Sequence, residues 1–280
     1  MTDLGMKLGY NTNGLGCHRP VDALQWLAEV GYQSVAITID HHWLDPYSPT
    51  FSKKLIKMKE NLDQLGLTSI IETGARFLLN QQQKHEPTLL SPSSEERAIR
   101  IDFLKRCIDI SKALGSKGVS FWSGVLRENI SFENAMQRLV EGCQEVVEYA
   151  TIKGVQLAFE PEPGMLIETM EQFRLLKEHI DDKCFGLTID IGHLQCVEEE
   201  PISIHLRRWK NDLWNIHIED MKKGEHEHLR FGEGEIDFDD VFKALKEINY
   251  QGPFNIELSR HSHMADVVVP ESYSFLKTYL

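Results

Sequence analysis

The chain has 280 residues, 41% of them apolar and 26% charged, which is ordinary globular usage with enough apolar material for one sizeable core and too much for disorder. A formal charge of −13 and a pI of about 5.4 set a field that repels polyanions, so nucleic acids are disfavoured partners. No stretch nears the roughly 20 apolar residues of a membrane span, the start MTDLGMKLGY lacks the apolar run of a signal peptide, and five cysteines without C-x-x-C spacing read as reduced thiols in a cytoplasmic protein.

Along the chain, short β-rich runs alternate with longer segments of helical period, which predicts βα units and a parallel sheet. The strands are read over Met6–Thr12, Ser34–Asp40, Thr68–Gly74, Gly118–Trp122, Val155–Glu160, Phe185–Asp190, Leu213–Ile218 and Pro253–Leu258. Gly31 closes the helix before the second strand, and Gly66 follows the Leu55, Met58, Leu62, Leu65 stripe, both where a left-handed residue is favoured. The stretch from Ala75 to Ser94, with Pro87 and Pro92, is long for a connection and follows strand 3 on the functional side, which makes it a candidate lid. Phe132, Ala135, Met136, Leu139, Cys143, Val146, Val147 and Ala150 form the stripe of a helix lying on a sheet. Asp237 is placed to N-cap the Phe238, Val241, Phe242, Leu245, Ile248 stripe. Eight such units predict an α/β fold, a (β/α)8 TIM barrel forming a single domain over residues 1–280.

Chemistry in such barrels sits at the C-terminal ends of the strands. Those positions carry Glu160 in LAFE, Asp190 in LTID, His217 in NIHIED and Glu257 in NIEL. Three carboxylates and an imidazole on one mouth repel each other if dry, so a shared divalent cation is expected to hold them; any one of them alone reads equally well as a solvated mouth residue. The oxygen-rich shell suits manganese or magnesium, with cobalt or zinc compatible.

Further candidates surround these. Glu162 in FEPEPG is a second carboxylate near Glu160, His193 lies one turn past strand 6, and Asp220 follows His217 closely. His226 and His228 point the same way if extended and can ligate a second metal, although a solvated loop is the simpler reading. Gly232 and Gly234 shape either a phosphate-binding turn or an ordinary loop. Arg76, Lys84 and His85 either meet an anionic group or are solvated, and Trp122 either walls the pocket against a sugar ring or packs in the core. His18, His41, His42, His261 and His263 stand at the same rim without an assigned role.

Glu160, D-I-G-H over Asp190 to His193, H-I-E-D from His217, the GEGEIDF run and Glu257, in that order, resemble the xylose isomerase-like TIM barrels. The likeness spans the barrel and is specific from strand 5 onward. That superfamily includes sugar-phosphate isomerases and epimerases, ketose 3-epimerases, hydroxypyruvate isomerase, inosose dehydratase and endonuclease IV. The ketose-epimerase branch implies that Glu160, Asp190, His217 and Glu257 bind one divalent ion, commonly manganese. It also implies that Glu160 and Glu257 are the catalytic pair that moves protons and that His193 contacts substrate. The resemblance to endonuclease IV implies a further metal site at His193, His226 and His228. Two other zinc-binding histidines of that branch, at the ends of strands 3 and 4, are missing from IIETG and SFWSG, which together with the acidic charge counts against DNA repair.

The expected activity is isomerisation or epimerisation of a sugar, sugar phosphate or cyclitol, in which the ion, manganese first, stabilises an enediolate while Glu160 and Glu257 remove and return a proton. His193, Trp122 and Arg76 are expected to bind this small polar substrate, with no nucleic-acid or membrane partner and the oligomeric state left open. Two other classes compete: dehydration of a keto-cyclitol, in which the enediolate expels a hydroxyl, and hydrolysis by several metals, which needs His193, His226 and His228 as ligands.

Overall fold

A computed structural model describes residues 6–280. The strands are β1 (Lys7–Asn11), β2 (Ser34–Thr38), β3 (Thr68–Glu72), β4 (Val119–Phe121), β5 (Leu157–Phe159), β6 (Phe185–Asp190), β7 (Leu213–Ile218), β8 (Asp220–Lys222), β9 (Glu225–Leu229) and β10 (Pro253–Ile256). All but β8 and β9 pair in parallel and close into one barrel, with β1 joined to β10; β8 and β9 form a separate antiparallel hairpin. The helices are α1 (Pro20–Val30), α2 (Phe51–Leu65), α3 (Ser94–Leu114), α4 (Phe132–Lys153), α5 (Met170–Glu178), α6 (Ile191–Val197), α7 (Ile202–Trp209), α8 (Phe238–Glu247) and α9 (Ala265–Lys277). The expected (β/α)8 barrel is therefore present. Most strands are shorter than the sequence reading, so Glu160 and Glu257 fall one residue beyond β5 and β10 rather than inside them.

Alternation along each strand explains both the core and the site. Val35 and Ile37, Leu157 and Phe159, Leu187 and Ile189, Ile216 and Ile218, and Phe254 and Ile256 are buried in the apolar layer shared with the helices, each contributing roughly 1.5–3 kcal/mol by burial. The alternate positions turn polar side chains into the barrel, where they must find hydrogen bonds. Ser120 Oγ lies 2.9 Å from Thr188 Oγ1, Asn215 Nδ2 donates to Thr188 Oγ1 at 3.4 Å, and Asn255 Nδ2 donates to Asn215 Oδ1 at 3.3 Å. Gly9 makes room for this layer, since a Cβ there would stand 2.1 Å from Asn255 Oδ1.

The helix punctuation follows the sequence. Gly31 and Gly66 are left-handed at φ 114° and 66°, and the Asp237 carboxylate accepts the Asp240 amide at 3.1 Å. Phe132 departs from its stripe: it stands at the first position of α4 and stays 36% exposed. Leu89 and Leu90, in the second half of the long loop after β3, are buried, and Glu86 pairs with Arg127 at 2.6 Å. The stretch from Ala75 to His85, where Ala75, Arg76 and His85 are left-handed non-glycine residues, reaches the barrel mouth. No helix among the described residues is long and apolar enough to cross a membrane, and the five cysteines are free thiols.

Candidate active site

His217, near the end of β7, stands at the centre of the mouth. Its Nδ1 is 2.8 Å from Glu160 Oε1, 2.8 Å from Glu257 Oε2 and 4.0 Å from Asp190 Oδ2. On the other side of the ring, Nε2 is 2.9 Å from Glu72 Oε1. An ionised carboxylate only accepts, so Nε2–H donates to Glu72, while Nδ1 holds a proton toward Glu160 and Glu257 in the metal-free protein and presents its lone pair to the same point once that proton leaves. Asp190 also caps α6: Oδ1 accepts the His193 amide at 2.9 Å, while Oδ2 is buried without a hydrogen-bond partner. Glu257 accepts from Asn13 Nδ2 at 2.7 Å and from Asn11 Nδ2 at 3.4 Å.

These features fit a cation. One ligand atom from each of Glu160, Asp190, His217 and Glu257 lies within 4.8 Å of all the others; bonds of about 2.0–2.2 Å to one ion would draw them to roughly 3–3.5 Å. The orphaned Asp190 oxygen and the directed Nδ1 lone pair are donors that only a cation or a proton satisfies.

Burial and charge act against each other across this group. Burial lowers the His217 pKa, but Glu72, Glu160 and Glu257 outweigh it and hold the imidazole well above its ordinary value. Burial pushes the Glu160 carboxyl up to about 8 despite His217, and it also raises Glu162 well above its ordinary value, with the charge of Glu160 adding to the shift. Burial also raises Glu257, yet the charge and hydrogen bond of His217 overcome it and leave this carboxyl below its ordinary value. The two carboxylates beside His217 Nδ1 are thus pushed in opposite directions, the pattern expected of an acid and a base in one site.

The group forms the floor of a cavity of about 420 Å³. Trp122, Arg76, Lys84 and His85 all line it. Trp122 lines the cavity and is also largely buried, at 7% exposed, with the Arg100 guanidinium 4.3 Å from its ring. Arg76 donates to the Asn13 carbonyl at 2.6 Å, and Asp40 lies 3.7 Å away. His193, His226 and His228 also meet at one side of the cavity. His18, His41, His42, His261 and His263 do not line it.

Two sequence expectations change. Asp220 turns away from the centre, its carboxylate accepting the amides of Gly232 at 2.8 Å, Ile236 at 3.2 Å and Met221 at 3.0 Å. The Gly232 turn is therefore held by Asp220, and the loop is an ordinary entry into α8 rather than a phosphate cradle. The residues that sequence reasoning missed are Glu72, Asn11, Asn13 and Glu219. Glu219 is fully buried with both carboxylate oxygens lacking a hydrogen-bond partner.

A family profile described as the xylose isomerase-like TIM barrel matches residues 24–279. The L-ribulose-5-phosphate 3-epimerase UlaE of Escherichia coli is 24% identical over 243 residues, covering 85% of this chain and 81% of its own. Among solved structures, a D-tagatose 3-epimerase-like protein superposes with a TM-score of 0.78 at 23% identity, over 98% of this chain and 97% of its own. The IOLI protein, solved with a binding zinc atom, gives 0.75 at 20% identity over 98% and 96%.

Proposed function

The chain belongs to the xylose isomerase-like TIM barrel family, and on that footing we propose that it is a metal-dependent sugar epimerase acting on a ketose or ketose phosphate. The observation that carries the reading is that Glu160 and Glu257 each stand 2.8 Å from the same nitrogen, His217 Nδ1. They flank one point on the floor of a polar cavity. Epimerisation needs that arrangement, because a proton must leave one face of a carbon and return on the other.

Glu257, whose charged form the Asn13 and Asn11 amides support, takes the proton from the carbon beside the carbonyl. Glu160, standing on the other side of that point, returns a proton drawn from solvent to the opposite face. The reverse reaction exchanges the roles. Glu160, Asp190, His217 and Glu257 would hold the ion, with manganese the first choice for three carboxylates and one imidazole and magnesium, cobalt or zinc compatible. When bound, it supplies positive charge beside the carbonyl and hydroxyl oxygens on which negative charge grows.

Relatives named as epimerases of L-ribulose 5-phosphate and D-tagatose support a small ketose as substrate. Trp122 offers its ring to the apolar side of the sugar, and Arg76 and Lys84 stand where hydroxyl or phosphate oxygens would reach. Free thiols and the acidic charge support a cytoplasmic, single-domain enzyme with neither nucleic-acid nor membrane partners.

The test is incubation of metal-replete protein in D2O with a panel of ketoses and ketose phosphates. Deuterium at the carbon beside the carbonyl, together with the epimer, is the expected result. Glu257→Gln is expected to remove both by at least about 100-fold while keeping the wild-type melting temperature. An unchanged rate in that variant, or no exchange into any substrate, overturns the reading. A product lighter by one water assigns the chain to dehydration instead.

A further inference from the structure

The two oxygens of Glu257 have different surroundings. Oε2 is 2.8 Å from His217 Nδ1, whereas Oε1 accepts the Asn13 side-chain amide at 2.7 Å. Oε1 is thus the oxygen free of the ring nitrogen, and Asn13 Nδ2 sets the direction of its remaining lone pair. A carboxylate only accepts, which turns Nδ2 toward Glu257 and places Asn13 Oδ1 on the far side of the amide, where it is buried without a hydrogen-bond partner among the described residues. The amide has no second contact to hold its angle, so the aim of Nδ2 depends on the backbone of Asn13.

That backbone is gripped at both ends of the residue. Asn13 lies in a short turn over Thr12–Leu15, and its N–H donates to Asn11 Oδ1 at 3.1 Å, an oxygen that also accepts Thr38 Oγ1 at 2.8 Å. Its carbonyl oxygen accepts two donors, Arg76 Nη2 at 2.6 Å and Ser262 Oγ at 3.2 Å. Two donors occupy both lone pairs of that oxygen, and the bond from the guanidinium is charge-assisted, hence the stronger of the two. Arg76 is aimed in turn by its own surroundings. Asp40, buried just past β2 with Oδ1 accepting the amides of His42 and Trp43 at 2.8 and 3.0 Å, lies 3.7 Å from Arg76 Nη1. The His85 amide donates to the Arg76 carbonyl at 2.7 Å and closes the segment that carries it.

We propose that Arg76 is a positioning residue for the proton-taking carboxylate, acting on Glu257 through the Asn13 carbonyl and side-chain amide, with Ser262 as the second hold on that carbonyl. The role of Glu257 rests on the epimerase reading; the contacts from Arg76 through Asn13 to Glu257 do not. Arg76 also lines the cavity, and a substrate ligand and a positioning residue give different kinetics. Losing a group that binds ground state and transition state equally raises KM and leaves kcat, whereas losing the alignment of the base lowers kcat.

Arg76→Met keeps the aliphatic stem and removes charge and donors together. In magnesium-loaded, nitrogen-15-labelled protein, the Asn13 side-chain amide signal, assigned by its loss in Asn13→Ala, is expected to shift and broaden in Arg76→Met and to recover in part in Arg76→Lys, which retains one donor. A signal unchanged in Arg76→Met overturns the proposal whether or not any sugar is turned over. With D-tagatose and L-ribulose 5-phosphate as probes, kcat on the one turned over faster is expected to fall by about 10-fold or more in Arg76→Met, with KM kept within about threefold and partial rescue in Arg76→Lys. A KM raised by about 10-fold or more at unchanged kcat makes Arg76 a substrate ligand and overturns the proposal; so does an unchanged kcat in a variant whose Asn13 signal has moved. Should Arg76→Met lose the fold, Ser262→Ala removes the other donor to the same carbonyl and is read in the same two ways. Wild type inactive on both probes counts against the epimerase reading, and the amide signal then decides the clamp alone.

Discussion

Glu72→Gln removes one charge and preserves the shape of the side chain, and it tests how the central imidazole is prepared. Glu72 Oε1 is 2.9 Å from His217 Nε2 and 3.3 Å from Asn215 Nδ2, while Asn215 Nδ2 is itself 3.1 Å from His217 Nε2. Two tautomers compete for these positions. In one, Nε2–H donates to Glu72 and the Nδ1 lone pair faces Glu160, Asp190 and Glu257; in the other, Asn215 donates to a bare Nε2 and an Nδ1–H blocks the ligand position. The charge on Glu72 selects the first. A hydrogen bond to a charged group contributes about 1.5–3 kcal/mol against roughly 0.5–1.5 kcal/mol for a neutral one, so the amide weakens the selection by about 1–2 kcal/mol. That corresponds to roughly 5- to 30-fold in manganese affinity, which overlaps the range of about 10- to 100-fold typical of partners of metal-bound histidines. Competition against a chelating dye at fixed pH measures the affinity, and circular dichroism checks the fold. Affinity unchanged within about twofold, with the fold intact, would refute the claim that Glu72 sets the tautomer.

Manganese affinity is expected to climb with pH. Burial holds the Glu160 carboxyl up to about 8, and Glu72, Glu160 and Glu257 raise His217 against the effect of burial; near neutrality both hold protons that the ion must displace. Binding therefore releases protons, affinity increases as pH rises through about 8, and a flat profile in the dye competition would contradict the assignment. Gly192→Ala places a Cβ 1.9 Å from Glu219 Oε1 and 2.7 Å from Met221 Cε. Overpacking of this kind costs about 1–3 kcal/mol, a fall of roughly 2–5 °C in Tm for a chain of this size. Calorimetry is expected to show that fall and a partial recovery in Gly192→Ala/Glu219→Ala; an unchanged Tm would mean that Glu219 does not pack against the start of α6.

The barrel is legible in the sequence because its signal is local. In FGLTID and NIHIED the apolar residues share one parity and the chemistry-bearing residues the other, so one strand shows both its core face and its site face. Glu72 ends β3 as Asp190 ends β6, but in TSIIE the apolar Ile70 and Ile71 occupy both parities and hide the site face. Reading strand 3 onward to Gly74 places Glu72 inside the strand, and the missing histidine in IIETG draws attention from the glutamate that is there. Its partner His217 lies 145 residues away, a pairing that only barrel closure makes visible. The same parity separates the neighbours in HIED: Glu219 shares the side of His217, whereas Asp220 turns outward to cap the loop amides.

The histidine cluster combines a local signal with one that depends on the fold. Spacing alone aligns His226 and His228 on one side of an extended β9, but His193 reaches them only because Asp190 caps α6 and starts that helix at the strand end. Asp190 thereby acts at two levels. One oxygen fixes where the helix begins, and the other stands between His193 and His217 at 3.6 and 4.0 Å. Asp190→Asn therefore separates the roles: an amide Oδ1 still accepts the His193 amide and starts α6, but an amide nitrogen in place of Oδ2 donates and cannot bind a cation. The fold should survive this change and manganese affinity should fall, whereas an unchanged affinity would remove Asp190 from the ligands.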